Sequence, residues 1–365
     1  MHSMQISDLF RVQERFLRSA HLERDFTDPR ALHGYVLTPQ TKGYIERLAT
    51  GLRVNSGQRA WRITGDYGSG KSSFALLLAH LFGEQYGRLP EHLRQAVNFK
   101  KIGVSRPHLL PVLVTGSHQP LAISLLNALR RDLLNTCGRG RPPLVIERIN
   151  LQLEESLTRP VPDQAVVQLL SEACSHVVGT GKGSGLLLLM DELGKFLEYG
   201  ALHPERQDVF LLQALAESAC RSTQAPLFVV GLLHQGFNAY AEHLSQSAQK
   251  EWEKVAGRFD ELVFNQPLEQ TAILVADALN IRVEELAKEL TIHSKRDMSA
   301  VVDLGWYGAA ATRSALLDIS SRLYPLHPSV VPVLVKLFSR FGQNERSLFS
   351  FLLSNEPFGL KEFAR

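Results

Sequence analysis

The chain has 365 residues, of which 44% are hydrophobic and 21% charged, and a formal net charge of +3. That length admits two or three compact units with a sizeable core, and so small a charge permits an anionic partner without demanding one. Apolar runs such as 186–190 and 227–233 are too short to cross a bilayer as helices, so no membrane-spanning helix is expected.

Residues 4–20 carry Ile6, Leu9, Phe10, Val12, Phe16 and Leu17 at helical spacing, interleaved with Asp8, Arg11, Glu14, Arg15 and Arg18. This predicts an amphipathic helix and rules out a signal-peptide core there. A connector at 21–37 follows. Thr38-Pro39 then marks a helix start, a capping residue followed by proline at the first helical position, and that helix is predicted to run to Leu52.

Next comes Ala60-Trp61-Arg62-Ile63-Thr64, a short strand pattern, and then Gly65-Asp66-Tyr67-Gly68-Ser69-Gly70-Lys71-Ser72. This is a complete G-x-x-x-x-G-K-S loop between a strand and the apolar helix that continues from Ser73 to Phe82. Its glycines let the backbone wrap an anion with inward N–H groups, and the new helix points its positive end at the same place. Lys71 is expected to reach the β- and γ-phosphates and Ser72 to ligate Mg²⁺. ATP with Mg²⁺ is therefore the expected ligand pair.

A second strand is predicted at 111–115 and a helix at 121–135. Residues 137–143 read as a Gly/Pro loop, two helical patterns fill 144–178, and the glycines at 179, 181, 183 and 185 form a turn. The third strand, 186–190, ends in Asp191-Glu192. A buried strand tipped by an aspartate suits Mg²⁺, directly or through water, and the adjacent glutamate is placed to polarise a water in line with the γ-phosphate. Helices at 192–199 and 206–223, a fourth strand at 227–233 ending before His234-Gln235, a helix at 238–256 and a short fifth strand at 261–264 complete the alternation. Such alternation predicts an α/β fold: a parallel sheet covered on both faces, three layers deep. Helical runs at 268–278, 282–290, 308–323, 328–341 and 344–354 predict an all-helical remainder.

The expected organisation is an N-terminal helix and connector at 1–29, an αβα nucleotide domain at 30–266 and a helical domain at 267–365. Cys137, Cys174 and Cys220 are far apart and lack metal spacing, so reduced thiols in a cytoplasmic protein are expected. Arg130, Arg131, Arg139 and Arg141 offer a helix-plus-loop contact for phosphates, although Asp132 sits beside the pair and no aromatic series accompanies them.

Together the Gly65–Ser72 loop, the 186–192 strand with its acids, Arg258-Phe259 before the last strand, and Gly342 to Ser347 opening a late helix resemble the AAA+ superfamily over most of residues 35–355. The Arg258-Phe259 order is similar to the origin-recognition initiator branch. Tyr67 to Ser72 and Asn344-Glu345-Arg346-Ser347-Leu348-Phe349 are also similar to large bacterial ATPases of phage-defence systems, the bacteriophage-exclusion type among them. The resemblance implies sheet order 5-1-4-3-2, with the fourth strand between the first and third, and a C-terminal helical lid. It implies that His234 or Gln235 senses the γ-phosphate, that Arg258 enters a neighbouring subunit's site, and that Arg346 reaches back from the lid. It places the adenine near Tyr35 and Val36. A homo-oligomer is implied, with double-stranded DNA, a DNA-bound protein or effector proteins as partners, and remodelling of a DNA complex in anti-phage defence as the work done. The alternative is a nucleotide-gated scaffold of low turnover.

Two departures stand out. About 120 residues separate Lys71 from Asp191, which implies a helical insertion near 118–180, and no winged-helix unit fits after the lid. The end at Arg365 suggests the first part of a longer protein. Guanine-specific Asn-Lys-x-Asp and an ABC-type Leu-Ser-Gly-Gly-Gln stretch are both missing from the chain.

Overall fold

The computed structural model describes residues 6, 9, 20–28, 30–66, 69–137, 142–203, 208–282, 284, 288–341, 348, 349, 351, 352 and 359–364. Two compact units divide the chain. One comprises 20–65 and 70–264; the other comprises 1–19, 66–69 and 265–365.

The larger unit is a five-stranded sheet with helices on both faces. In chain order it contains α1 (Leu22–Asp25), α2 (Pro39–Thr50), β1 (Ala60–Thr64), α3 (Lys71–Phe82), α4 (Glu91–Arg94), β2 (Leu109–Thr115) and α5 (Leu121–Cys137). There follow α6 (Leu144–Glu155), α7 (Asp163–Gly179), β3 (Gly185–Asp191), α8 (Leu193–Leu202), α9 (Asp208–Arg221), β4 (Leu227–Leu233), α10 (Phe237–Tyr240), α11 (Gln246–Ala256) and β5 (Asp260–Val263). All pairings are parallel and the order is β2-β3-β4-β1-β5, the predicted 5-1-4-3-2 read from the other edge.

The pleat explains why β3 and β4 are apolar throughout. Leu186, Leu188 and Met190 face a core shared with α5, α6, α7 and α9, whereas Leu187 and Leu189 face a core shared with α2 and α3. β4 divides in the same way, with Leu227, Val229 and Leu233 on one side and Phe228, Val230 and Leu232 on the other. A strand buried on both faces has no polar alternation to keep, and each buried Leu or Val contributes roughly 1.5–3 kcal/mol. The three helices between β2 and β3 thus cover the face opposite α3.

Several elements differ from the sequence expectation. The helix predicted at 238–256 is two, because Ser245 caps a new start at α11 by accepting a hydrogen bond from Ala248 N at 3.4 Å. The 21–37 connector contains α1, and the polar stretch after Phe82 contains a 3₁₀ turn (Glu84–Arg88) and α4. The predicted N-terminal helix falls almost wholly outside the described residues.

The second unit contains α12 (Leu268–Leu279), α13 (Lys288–Asp303), α14 (Arg313–Ile319), a 3₁₀ turn (Ser320–Leu323), α15 (Val330–Phe341) and α16 (Leu360–Phe363) around a separate apolar cluster. Of the helix predicted at 282–290, residues 283 and 285–287 lie outside the described residues; α13 begins at Lys288 and runs on to Asp303, past the predicted end. Only Met298 and Val301 of α13 are buried, so its apolar stripe was too sparse to announce the helix. Glu269, 9% exposed, accepts from Thr312 N at 2.8 Å and joins α12 to the start of α14.

Candidate functional site

The loop 65–72 begins where β1 ends. Gly65 N donates to Leu233 O at 3.2 Å, which ties the loop entry to the tip of β4. Beneath it, Phe74 of α3, Tyr44 of α2 and Phe264 beyond β5 stack with ring centroids 5.0–6.4 Å apart. Tyr44 also donates its hydroxyl to Val263 O at 2.7 Å. This cluster sets the height at which α3 starts.

Gly70 caps α3 with φ of 90°, a left-handed conformation that side chains with a Cβ rarely adopt. It offers α3 no side-chain cap, the arrangement in which a helix N-terminus can receive an anion. Lys71 is 5% exposed and its Nζ donates to Gly65 O at 2.5 Å. Its ammonium is therefore folded back over the loop it belongs to. Of the remaining loop residues, Ser69 N donates to Asp66 O at 3.4 Å, and Ser69 Oγ is buried without a hydrogen-bond partner among the described residues. Tyr67 and Gly68 lie outside the described residues. Ser73 is half-buried in the first turn of α3.

Asp191 ends β3 and is 5% exposed. The Ser72 hydroxyl is near enough to favour the charged form of the Asp191 carboxylate, and Glu192 N donates to Asp191 Oδ1 at 2.8 Å. Burial raises the Asp191 carboxyl above the usual range, while the Ser72 hydroxyl, the Glu192 N–H and the Lys71 charge pull it back down. A carboxylate so deeply buried calls for a cation. The donor set, a hydroxyl and a carboxylate side by side, is the hard-oxygen chemistry that Mg²⁺ takes.

Glu192 adopts φ 50° and ψ 39°, left-handed and not glycine. The neighbouring tip of β2 makes room for it: a Cβ on Gly116 would stand 2.0 Å from Glu192 O. Gly116 N also donates to Asp191 O at 2.8 Å. Strain of this kind is held by its surroundings and gathers at functional positions. The Glu192 carboxylate forms an ion pair with Lys195 one turn along α8.

His234, at the end of β4, is half-buried and held down to about 4, mainly by burial and next by the Lys71 charge. Its neutral ring thus shares the electrostatic environment of Lys71, Glu192 and Lys195. Gln235 is exposed. Arg258 follows α11, is half-exposed and sits 3.4 Å from Glu217. Tyr35 and Val36 are half-buried in the segment leading to α2, where Tyr35 O lies 3.4 Å from His92 Nε2. Arg346 lies outside the described residues.

The structure therefore brings Lys71, Ser72, Asp191, Glu192 and His234 together, and it separates the two tip residues of β4. Sequence reasoning missed the Lys195 pairing, for which three-residue spacing on a helix was the available signal. It also missed Gly116, whose role exists across two strands. Among the arginines at 130–141, Arg131 turns inward: it donates to Glu23 Oε2 at 2.6 Å, Asp132 Oδ1 at 2.8 Å and Leu113 O at 2.6 Å. Arg130 is exposed, and Arg139 and Arg141 lie outside the described residues. No described helix is long and apolar enough to cross a membrane.

No protein-family model and no curated protein matches the chain. Among solved structures it is similar to the Aeropyrum pernix ORC2 protein in ADPNP–ADP complexes, at 12% identity and a TM-score of 0.39, over 87% of this chain and 74% of that one. The ADP form of the same protein gives 13% identity and a TM-score of 0.39, over 86% and 73%. A likeness of that size adds nothing to what the sheet order and the site already say. With β4 inserted between β1 and β3, the sheet has the strand order that the AAA+ resemblance implied.

Proposed function

We propose that this chain binds ATP with Mg²⁺ and hydrolyses it to ADP and phosphate as part of an oligomer. One observation carries the reading: the Ser72 hydroxyl and the buried Asp191 carboxylate, from two separate motifs, lie close enough for the hydroxyl to favour the charged carboxylate. Mg²⁺ held there would neutralise charge on the β- and γ-phosphate oxygens.

The protein's own groups then divide the work. Lys71 leaves Gly65 O for the phosphates, and the N–H groups opening α3 take the phosphate oxygens. Residues 65–73 form the cradle, with adenine near Tyr35 and Val36. Glu192 accepts the proton of the attacking water, for which its carboxylate must let go of Lys195. His234 stays neutral and donates a hydrogen bond to the γ-phosphate; between the two candidate sensors its half-burial and its response to Lys71 favour it over exposed Gln235. Arg258, half-exposed at the end of α11, is available to a neighbouring subunit. Arg346, outside the described residues, is proposed as the sensor residue contributed by the helical part of the chain.

The coupled work is proposed to be remodelling of DNA or a DNA-bound complex in the bacterial cytoplasm, in anti-phage defence. What supports this is the sequence similarity around Tyr67 to Ser72 and Asn344 to Phe349. A second reading, a nucleotide-gated scaffold that assembles effector proteins with little turnover, is favoured by the Glu192–Lys195 ion pair, which engages the proposed base.

The test is ATP affinity and turnover across protein concentration, with and without double-stranded DNA. Lys71→Ala is expected to abolish nucleotide binding; unchanged affinity would sink the assignment. Turnover per chain should rise with protein concentration and fall in Arg258→Ala with binding intact. Tight ATP binding with negligible turnover at every concentration would select the scaffold.

A further inference from the structure

Between Glu84 and His108 the chain carries Arg88, Arg94, Lys100, Lys101 and Arg106 against only Glu84 and Glu91. That excess of three equals the net charge of the whole protein, so the rest of the chain is balanced. The segment links the end of α3 to the start of β2, where Gly83 bridges Leu109. It therefore lies at the N-terminal end of the sheet. The length of α3, about 18 Å, separates it from the loop at 65–72.

Here the fold encloses an open groove of about 810 Å³ whose lining includes Tyr86, Arg94, Asn98, Lys100 and Arg106. Its floor is fixed. Phe99 is 7% exposed and packs on Phe82 at 6.1 Å, and the loop above it is closed by Val104 N donating to Phe99 O at 3.0 Å and Lys101 N to Asn98 Oδ1 at 3.1 Å. Arg53 donates to Ile102 O at 2.8 Å from outside. Tyr86 donates its hydroxyl to Arg94 O at 3.1 Å and carries the Arg106 guanidinium over its ring at 5.0 Å. Arg94 Nε is buried with no hydrogen-bond partner among the described residues, a donor that the fold itself leaves unanswered.

We propose that this groove binds single-stranded nucleic acid. Exposed Lys100 and Arg106 supply the charge that tracks a phosphate backbone. The Arg106 guanidinium, held 5.0 Å from the Tyr86 ring centroid, is a flat cation on which a base can stack, a contact for which a polyglutamate peptide has no ring. The groove volume is in the range of ligand sites, and its open side suits a strand passing through.

The test is fluorescence anisotropy of a labelled oligothymidine of about 16 nucleotides with the full chain, over a range of salt. It is read without nucleotide, so strand binding and ATP turnover can fail separately. Affinity is expected to fall with salt, and Lys100→Gln to reduce the slope of log K against log salt by roughly 0.7. Arg106→Lys keeps the charge and loses the plane, so it should weaken strand binding about tenfold with the slope unchanged. No binding at low salt would overturn the proposal. So would wild-type slope and affinity in both variants. Equal competition by a polyglutamate peptide, with Arg106→Lys indifferent, would assign the groove to an acidic protein partner instead. Should Arg106→Lys lose its circular dichroism signature, the Lys100→Gln slope decides alone.

Discussion

The two ends of the parallel sheet are built on opposite principles. At the C-terminal ends of β1, β3 and β4, the polar groups are few and mutually engaged, with Lys71 and Asp191 buried: Lys71 on Gly65 O, Ser72 beside Asp191, Glu192 on Lys195. At the N-terminal end of β2, the charges are many, mostly exposed and predominantly positive. Buried groups of defined geometry suit a small ligand whose charge must be met atom by atom. Exposed like charges along a groove suit a long polyanion whose register is free. On the proposed readings one sheet has a chemical end and a docking end, and substitutions at one should leave the other's measurement untouched.

The largest test of that separation is Glu192→Gln. Removing the proposed base is expected to lower turnover by about 10²–10⁴-fold while ATP affinity and oligothymidine affinity stay at wild-type values. A variant that lost strand binding as well would join the two ends into one device. Next in size is Gly116→Ala, whose Cβ would stand 2.0 Å from Glu192 O. Denaturant unfolding should show a loss of roughly 1–3 kcal/mol, because the tip of β2 and the left-handed turn at Glu192 can no longer share that space. A stability equal to wild type would mean that the turn relaxes freely. Smaller again is Lys195→Met. It frees Glu192 from a half-exposed ion pair of the kind worth 0–1 kcal/mol, so turnover is expected to rise by no more than about fivefold. A fall in turnover would instead make Lys195 a participant.

How much of this was legible in the sequence follows from how local each signal is. The loop at 65–72 and the acids at 191–192 are contiguous, and the apolar strands before them are buried on both faces, so motif and sheet announce each other. The order of strands came from the resemblance, since no run of residues states which strand lies beside which. The left-handed turn at Glu192 depends on a glycine in another strand, and nothing in the residues 191–195 alone calls for it. α13 escaped because its buried face has only two large apolar residues, Met298 and Val301. The groove was overlooked for another reason. Its residues are contiguous, but Arg106 and Tyr86 are brought together by a loop with no regular period, and a polar stretch after a helix ordinarily means solvent.

His234 offers the finest test, because its environment belongs wholly to the chemical end. Burial and the nearby Lys71 charge, with Lys195 adding to it and Glu192 opposing, hold the ring down to about 4 against an ordinary 6.5. Above pH 6.5 the ring is neutral whether the chain is folded or not, and it has no effect on stability. As pH falls from 6.5 toward 4 the unfolded chain takes up the proton first, so stability declines through that window and levels off below it. His80 and His176 are also lowered by burial, and they tilt the wild-type curve in the same direction. The difference between wild type and His234→Gln isolates the one ring: urea midpoints at pH 7 and pH 5 should draw apart less in the variant. Equal slopes would place His234 in solvent. They would also remove the ground for preferring it to Gln235 as the group that answers the γ-phosphate, because a ring that titrates normally is not held against Lys71.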